Sequence, residues 1–165
     1  MAGINFNNFS SQAIAGKFIQ FSNGTDTTTD LYSETYQAIP IFTFEEFSNY
    51  SSEFTKNSNT EIQVNFDGIV SINSVVLITY ASEERSLMTS RVFKNSSAVG
   101  SLSSVSYMRS TSSSSDESAC ILNPFFLPVN DGDLIELRMV NTFINSVTTT
   151  FYGQNQSYFV LNRVS

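Results

Sequence analysis

Residues 69–80 read Ile-Val-Ser-Ile-Asn-Ser-Val-Val-Leu-Ile-Thr-Tyr, and this stretch decides the fold. Its even positions include Val70, Ile72, Val76, Ile78 and Tyr80; its odd positions include Ile69, Val75 and Leu77. Side chains alternate between faces along a strand, so this strand is apolar on both sides. Its β-branched residues favour an extended backbone. A strand in an antiparallel sandwich needs only one apolar face, because water solvates the other. The second face calls for a cover.

The neighbouring sequence continues the extended pattern. Glu61 to Phe66 alternates, with Ile62, Val64 and Phe66 on one side, and Asp67-Gly68 marks a turn or bulge before the long strand. Upstream, Ile39 to Phe44 is predicted as a strand, followed by a polar loop through Ser58. Downstream, Glu83-Glu84-Arg85 is a charged turn, and Leu87–Lys94 and Leu102–Arg109 are strands around a Ser-Gly loop. The serine run from Thr111 to Glu117 is expected to be an exposed loop. Cys120 to Val129 is apolar but carries Pro124 and Pro128, which suits an edge or bulged strand. After the turn Asn130-Asp131-Gly132-Asp133, Leu134 to Val140 places Ile135, Leu137 and Met139 on one face and Glu136 and Arg138 on the other. Thr148–Tyr152 and Tyr158–Val164 close the chain. Eight or nine short strands with regular turns and no convincing helix predict an all-β, antiparallel jelly-roll sandwich.

Residues 1–35 differ from residues 36–165. The stretch 1–20 has scattered apolar residues and one charge, Lys17, and Ser22 to Asp30 has the composition of a polar linker. An extended N-terminal arm is expected, with a short strand at Lys17–Phe21, ahead of the jelly-roll domain. Its apolar residues Ile4, Phe6, Phe9, Ile14, Phe18, Ile19 and Phe21 are candidates for anchoring it on another surface.

Composition narrows the chemistry. The 165 residues carry 15 Phe, 7 Tyr, no Trp, no His and one Cys, at a net charge of -7. An acidic surface repels phosphate backbones and anionic bilayers, so neither nucleic acid nor membrane is expected as a partner. Without His, Ser-His-Asp and Cys-His arrangements and the commonest zinc and iron sites are absent. Cys120, beside Ile121 and Leu122, reads as a buried, inert thiol. The adjacent pairs Glu45-Glu46, Glu83-Glu84 and Asp116-Glu117 point to opposite faces of a strand, so they read as solvated turns. The Asn130–Asp133 turn lacks the alternating ligands and distal Glu of a calcium loop. No catalytic residue, metal or cofactor is expected, and the chain reads as a non-enzyme. Asn-x-Ser/Thr triplets at Asn8, Asn23, Asn49, Asn95 and Asn155 read as chance in so Asn- and Ser-rich a chain. Residues 1–21 lack the basic start and continuous apolar core of a secretory leader, so cytoplasmic synthesis without export is expected.

The last strand repeats the two-faced pattern, with Tyr158 and Val160 pointing one way and Phe159 and Leu161 the other. With no helix to cover the surplus, another subunit is the simplest cover. Ile69, Val75, Leu77, Tyr158, Phe159, Val160 and Leu161 are therefore the predicted subunit interface. In order along the chain come Gly68-Ile69-Val70-Ser71-Ile72, then Val129 to Leu137 with its Asn-Asp-Gly-Asp turn, then Ser157-Tyr158-Phe159-Val160-Leu161-Asn162-Arg163-Val164. Over residues 38–165 this resembles the tumour necrosis factor superfold, including the globular heads of the first complement component, although Val70 stands where an aromatic is usual. The resemblance implies a trimer lined by these strands.

Phage particles reuse trimeric jelly rolls, and by that analogy the expected role is a bacteriophage structural protein. It would be a capsid decoration, cement or head-fibre protein, held by its arm on a major capsid or other virion protein, with three weak arm contacts acting together. Its place would be the virion. The alternative is a receptor- or glycan-binding tail-fibre tip, with Thr111–Glu117 and Asn141–Ser146 as host-facing loops and Tyr107 or Tyr152 stacking on sugars. A secreted cytokine-like ligand is a third class, disfavoured by the sequence of residues 1–21.

Overall fold

Apolar alternation becomes a two-layer sandwich, seen in a computed structural model that describes residues 17–32, 34–48, 52–80, 85–109, 116–142, 146–153 and 156–164. These residues form β1 (Lys17–Ser22), β2 (Thr27–Tyr32), β3 (Gln37–Ala38), β4 (Phe44–Ser48), β5 (Phe54–Lys56), β6 (Glu61–Val64) and β7 (Gly68–Tyr80). They continue with β8 (Arg85–Lys94), β9 (Ser97–Val99), β10 (Ser106–Arg109), β11 (Asp116–Val129), β12 (Leu134–Asn141), β13 (Ser146–Phe151) and β14 (Tyr158–Arg163). No described residue is helical, so no described helix is long and apolar enough to cross a membrane.

Two antiparallel sheets make up the jelly roll. The first runs β2-β13-β7-β14-β1-β4, with β11 on the free edge of β7. The second runs β10-β8-β12-β6-β5, with β3 also on β12 and β9 on β8. The long strand β7 is the spine of the first sheet. One edge pairs with β11 along its length, while the other is shared between β14 (opposite Val70–Val75) and β13 (opposite Ile78–Tyr80).

Between the sheets lie Val70, Ile72, Val76 and Ile78 from β7, Ile135, Leu137 and Met139 from β12, and Phe159 and Leu161 from β14, all fully buried. Phe42 packs between Phe21 and Phe159, with ring centroids 5.4 and 5.1 Å away, a spacing at which tilted aromatic rings attract. A carboxylate ties the chain's two end strands together. Buried Glu53 accepts from the Lys17 ammonium and, at 2.7 Å, from Arg163, whose guanidinium lies 4.3 Å over the Phe66 ring.

The structure departs from expectation in four places. Ser22–Asp30 is not a linker: the chain turns at 23–26 and enters β2, whose threonines pair with those of β13. Buried Asn23 locks that turn, donating to Thr27 Oγ1 at 3.0 Å and to the Phe151 carbonyl at 2.9 Å. The sandwich therefore includes Lys17–Tyr32, half of the stretch 1–35 expected as an arm. Of the expected strand Ile39–Phe44 only Phe44 is extended, as the start of β4: Pro40 has no N–H for a ladder, and Ile39, Ile41 and Phe42 are buried from irregular backbone. Finally, the polar stretch through Ser58 contains two edge strands, β4 and β5.

Candidate functional site

The strongest candidate surface is the outer side of the first sheet, and strand register builds it. In β7 the even residues from Val70 to Ile78 are buried and the odd residues from Ser71 to Leu77 half-buried, so the odd set faces outward. Ile121 of β11 sits opposite Val75, and Val75 sits opposite Tyr158 of β14, making an apolar row across three strands. Leu77 opposes Ala119, Asn73 opposes Val160, and Ile69 opposes Pro128. Ile121 is 47% exposed, Phe126 70% and Ile69 37%. A contiguous apolar field of this kind on a sheet with no covering helix is what a partner surface offers.

Register also sorts the predicted interface. Ile69, Val75, Leu77, Tyr158 and Val160 share the outer face. Phe159 and Leu161 do not: they pair with the inward residues Ser74 and Ile72 and are fully buried in the subunit's own core. Their apolar surface is already covered, so their assignment to the interface is corrected. Ile121 and Phe126 were missed because a bulge lies between Leu122 and Phe125. Cys120 and Leu122 face inward before it, Leu127 and Val129 after it, so the inward parity changes mid-strand. The signal available was Pro124, a residue that a regular ladder does not accept.

The predicted anchoring residues divide likewise. Ile4, Phe6, Phe9 and Ile14 lie outside the described residues. Ile19 and Phe21 are buried in β1 within the sandwich core, and Phe18, half-buried, sits opposite Asn162 of β14. Ile19 and Phe21 hold the domain together and have no surface left for anchoring.

The remaining polar groups are engaged in structure. Burial pushes the Cys120 thiol up to about 11, with Ser103 and Ser106 only partly opposing it, so it is protonated and inert at neutral pH. Burial would also raise Asp133, but the Asn130 N–H, the Asn95 amide and the Lys94 ammonium outweigh it and hold the carboxyl below its ordinary range. Those three donors occupy its oxygens at 2.9, 2.6 and 3.1 Å, which makes the 130–133 turn a structural clasp. Among the described residues no three His, Cys, Asp or Glu side chains group as metal ligands.

Of the adjacent carboxylate pairs, Glu83-Glu84 lies outside the described residues. Glu46 accepts from Gln20 at 2.7 Å, and Glu117, already in β11, accepts from the Tyr152 hydroxyl at 2.8 Å. That contact raises the Tyr152 phenol and ties its ring, a candidate for stacking on sugars, to β11, whereas Tyr107 is 51% exposed. Residues 111–115 and 143–145 of the two candidate host-facing loops lie outside the described residues, while Asn141 ends β12 and is buried. Two Asn-x-Ser/Thr sites are spent on folding: the Asn23 amide is buried, and Asn95 donates to Asp133 while accepting from the Leu134 N–H at 2.9 Å.

No protein-family model matches the sequence, and no curated protein does. Solved structures match the fold. The Eiger TNF of S. frugiperda superposes with a TM-score of 0.55 at 14% identity, over 91% of this chain and 93% of that one. Murine APRIL, solved at pH 8.0, superposes with a TM-score of 0.56 at 8% identity, over 90% and 99%. The chain has the jelly-roll fold of tumour necrosis factor-like proteins.

Proposed function

We propose that this jelly roll works as a homotrimer and serves as a non-catalytic structural protein of a bacteriophage particle, a capsid decoration, cement or head-fibre protein. One observation carries the trimer: the register-matched apolar row Ile121–Val75–Tyr158 on a sheet face with no covering element among the described residues. A threefold ring joins unlike patches on successive copies. The face patch is Val75, Tyr158 and Val160; the edge patch is Ile121 and Phe126, with Leu102, Val105 and Tyr107 beside them, 52%, 61% and 51% exposed. The face of one copy would receive the edge of the next, and the exposed Phe126 ring would be the knob that fills it.

The virion setting is supported by an acidic, helix-poor sequence without His, and by the reuse of such trimers in phage particles, which is fold-level analogy. The protein would be made in the host cytoplasm, with a major capsid or other virion protein as partner. Because Lys17–Ser22 belongs to the sandwich, anchoring falls to Ile4, Phe6, Phe9 and Ile14. The test is deletion of residues 1–16 followed by sedimentation with particles. A trimer that no longer cosediments supports the reading, and full retention of binding removes the anchoring role. Exposed Tyr107 favours the second reading, a receptor- or glycan-binding tip. Adsorption of the purified protein to host cells without binding to particles would select it.

A further inference from the structure

The interior beside Cys120 gathers small polar side chains: β8 and β10 present Ser90 and Ser106, with Ser103 between them in the chain, and β11 presents Cys120. The register sets Ser106 opposite Met88, and Ser90 is the next inward residue of β8 after Met88. Cys120 closes the group from the other sheet, its Sγ 3.5 Å from the Met88 carbonyl. Ser103 is satisfied, accepting from the Ser90 N–H and donating to the Ser104 carbonyl, both at 2.8 Å. The Ser90 hydroxyl, in a residue 0% exposed, has no protein hydrogen-bond partner, and the Ser106 hydroxyl, in a residue 1% exposed, meets only the weakly bonding Cys120 thiol.

A buried hydroxyl with no protein partner beside one that meets only a thiol is costly, and native interiors satisfy such groups with protein or ordered water. Serine and cysteine side chains are smaller than the Ile and Phe that fill most of the interior. A site that is polar, roomy and provided with several partners is where an internal water belongs. A seam of hydrogen bonds seals it. The Ser104 N–H donates to the Ile121 carbonyl at 2.8 Å, and the Ile121 N–H donates to Ser104 Oγ at 2.9 Å, joining the second sheet to the edge of the first.

We infer that the polar nest formed by Ser90, Ser106 and Cys120 is an internal hydration site, holding ordered water that bridges the two serine hydroxyls behind the Ser104–Ile121 seam. The water accepts and donates to Ser90 and Ser106 and leaves the thiol as a weak third partner.

Two readouts on the full chain test this. In a crystal structure at high resolution, density within hydrogen-bond distance of both Oγ atoms supports the site, and its absence overturns it. In thermal unfolding, Ser90→Ala and Ser106→Ala each remove a water ligand and lower Tm by about 2–4 °C for each 1 kcal/mol lost from a domain of this size, while the control Ser97→Ala, exposed on β9, leaves Tm unchanged. If the hydroxyls are dry, both variants shed a desolvated group and raise Tm, which overturns the proposal. A Tm fall without density points to a direct Ser90–Ser106 bond and also overturns it.

Discussion

The outer faces of the two sheets are made of different chemistry. On the second sheet, outward Glu61, Gln63, Arg91, Glu136 and Arg138 are half-buried polar residues, and their charges are answered within the subunit. Arg138 pairs with Glu136 and lies 4.6 Å over Phe93, whose other neighbour is the Tyr36 ring at 5.3 Å, and Arg91 donates to the Gly100 carbonyl at 3.1 Å. The Phe93 ring on that face is roofed over, while Tyr107, on edge strand β10, stays exposed. On the first sheet, outward Ile69, Val75, Ile121, Phe126, Tyr158 and Val160 have no such roof among the described residues. Among the described residues one side of the sandwich is largely charged and the other largely apolar, and the apolar side is the one the proposed trimer would cover.

Breaking this contrast should have its largest effect at Val75. An aspartate there would place a charge in the middle of the apolar row, and Val75→Asp is expected to abolish the trimer and leave folded monomers in sedimentation velocity. Gln63→Asp, at the matching depth of the second sheet, should stay trimeric. If both assemble alike, the outer face of the first sheet is not the interface.

Neighbouring residues of β14 sharpen the comparison. Phe159→Ala empties a core site and should cost the subunit about 3–5 kcal/mol in urea unfolding. Val160→Ala, one position along but on the outer face, should leave the dissociated subunit nearly unchanged while raising the trimer dissociation constant.

Smaller effects lie where the two sheets meet. Gly100 has φ +65°, and a Cβ there would come within 2.4 Å of the Phe125 ring. Gly100→Ala should therefore cost roughly 1–3 kcal/mol. Gly132→Ala, at φ +88° but in open space, should incur backbone strain alone, about 1–2 kcal/mol, at the low end of the Gly100 cost. The denaturation midpoints of the two variants rank them.

The smallest predicted effect is electrostatic. Asp133 is held below its ordinary value of 3.8, so its contribution to stability is complete above that value and is lost as pH falls through the lowered one. Asp133→Asn should flatten that part of the acid limb in a stability–pH profile. An unchanged limb would show that the clasp adds no pH-dependent stability.

How much of this was legible depends on how cleanly each strand alternates. β6, β7, β12 and β14 announce themselves, because their apolar residues repeat at two-residue spacing against turn chemistry. β2 and β4 were hidden because Thr27–Asp30 and Phe44–Ser48 lie toward sheet edges, where polar side chains are tolerated on a strand. Ile39–Phe42 misled in the opposite direction, since burial of Ile39, Ile41 and Phe42 supplied strand-like hydrophobicity while Pro40 barred the ladder. For the surface, sequence parity separated Tyr158 and Val160 from Phe159 and Leu161 but did not say which pair faced inward. Only pairing with Ser74 and Ile72 settles that. Ile121 and Phe126 were invisible because one bulge reverses the parity between them.

Native mass tests the central claim most directly. Light scattering across a concentration series should give three copies of the 18.3 kDa chain, about 55 kDa, down to low concentration, with Val75→Asp at the mass of one. A wild-type protein that remains a single 18.3 kDa species at high concentration would contradict the account, because the apolar side of the first sheet would then stand in water unaided.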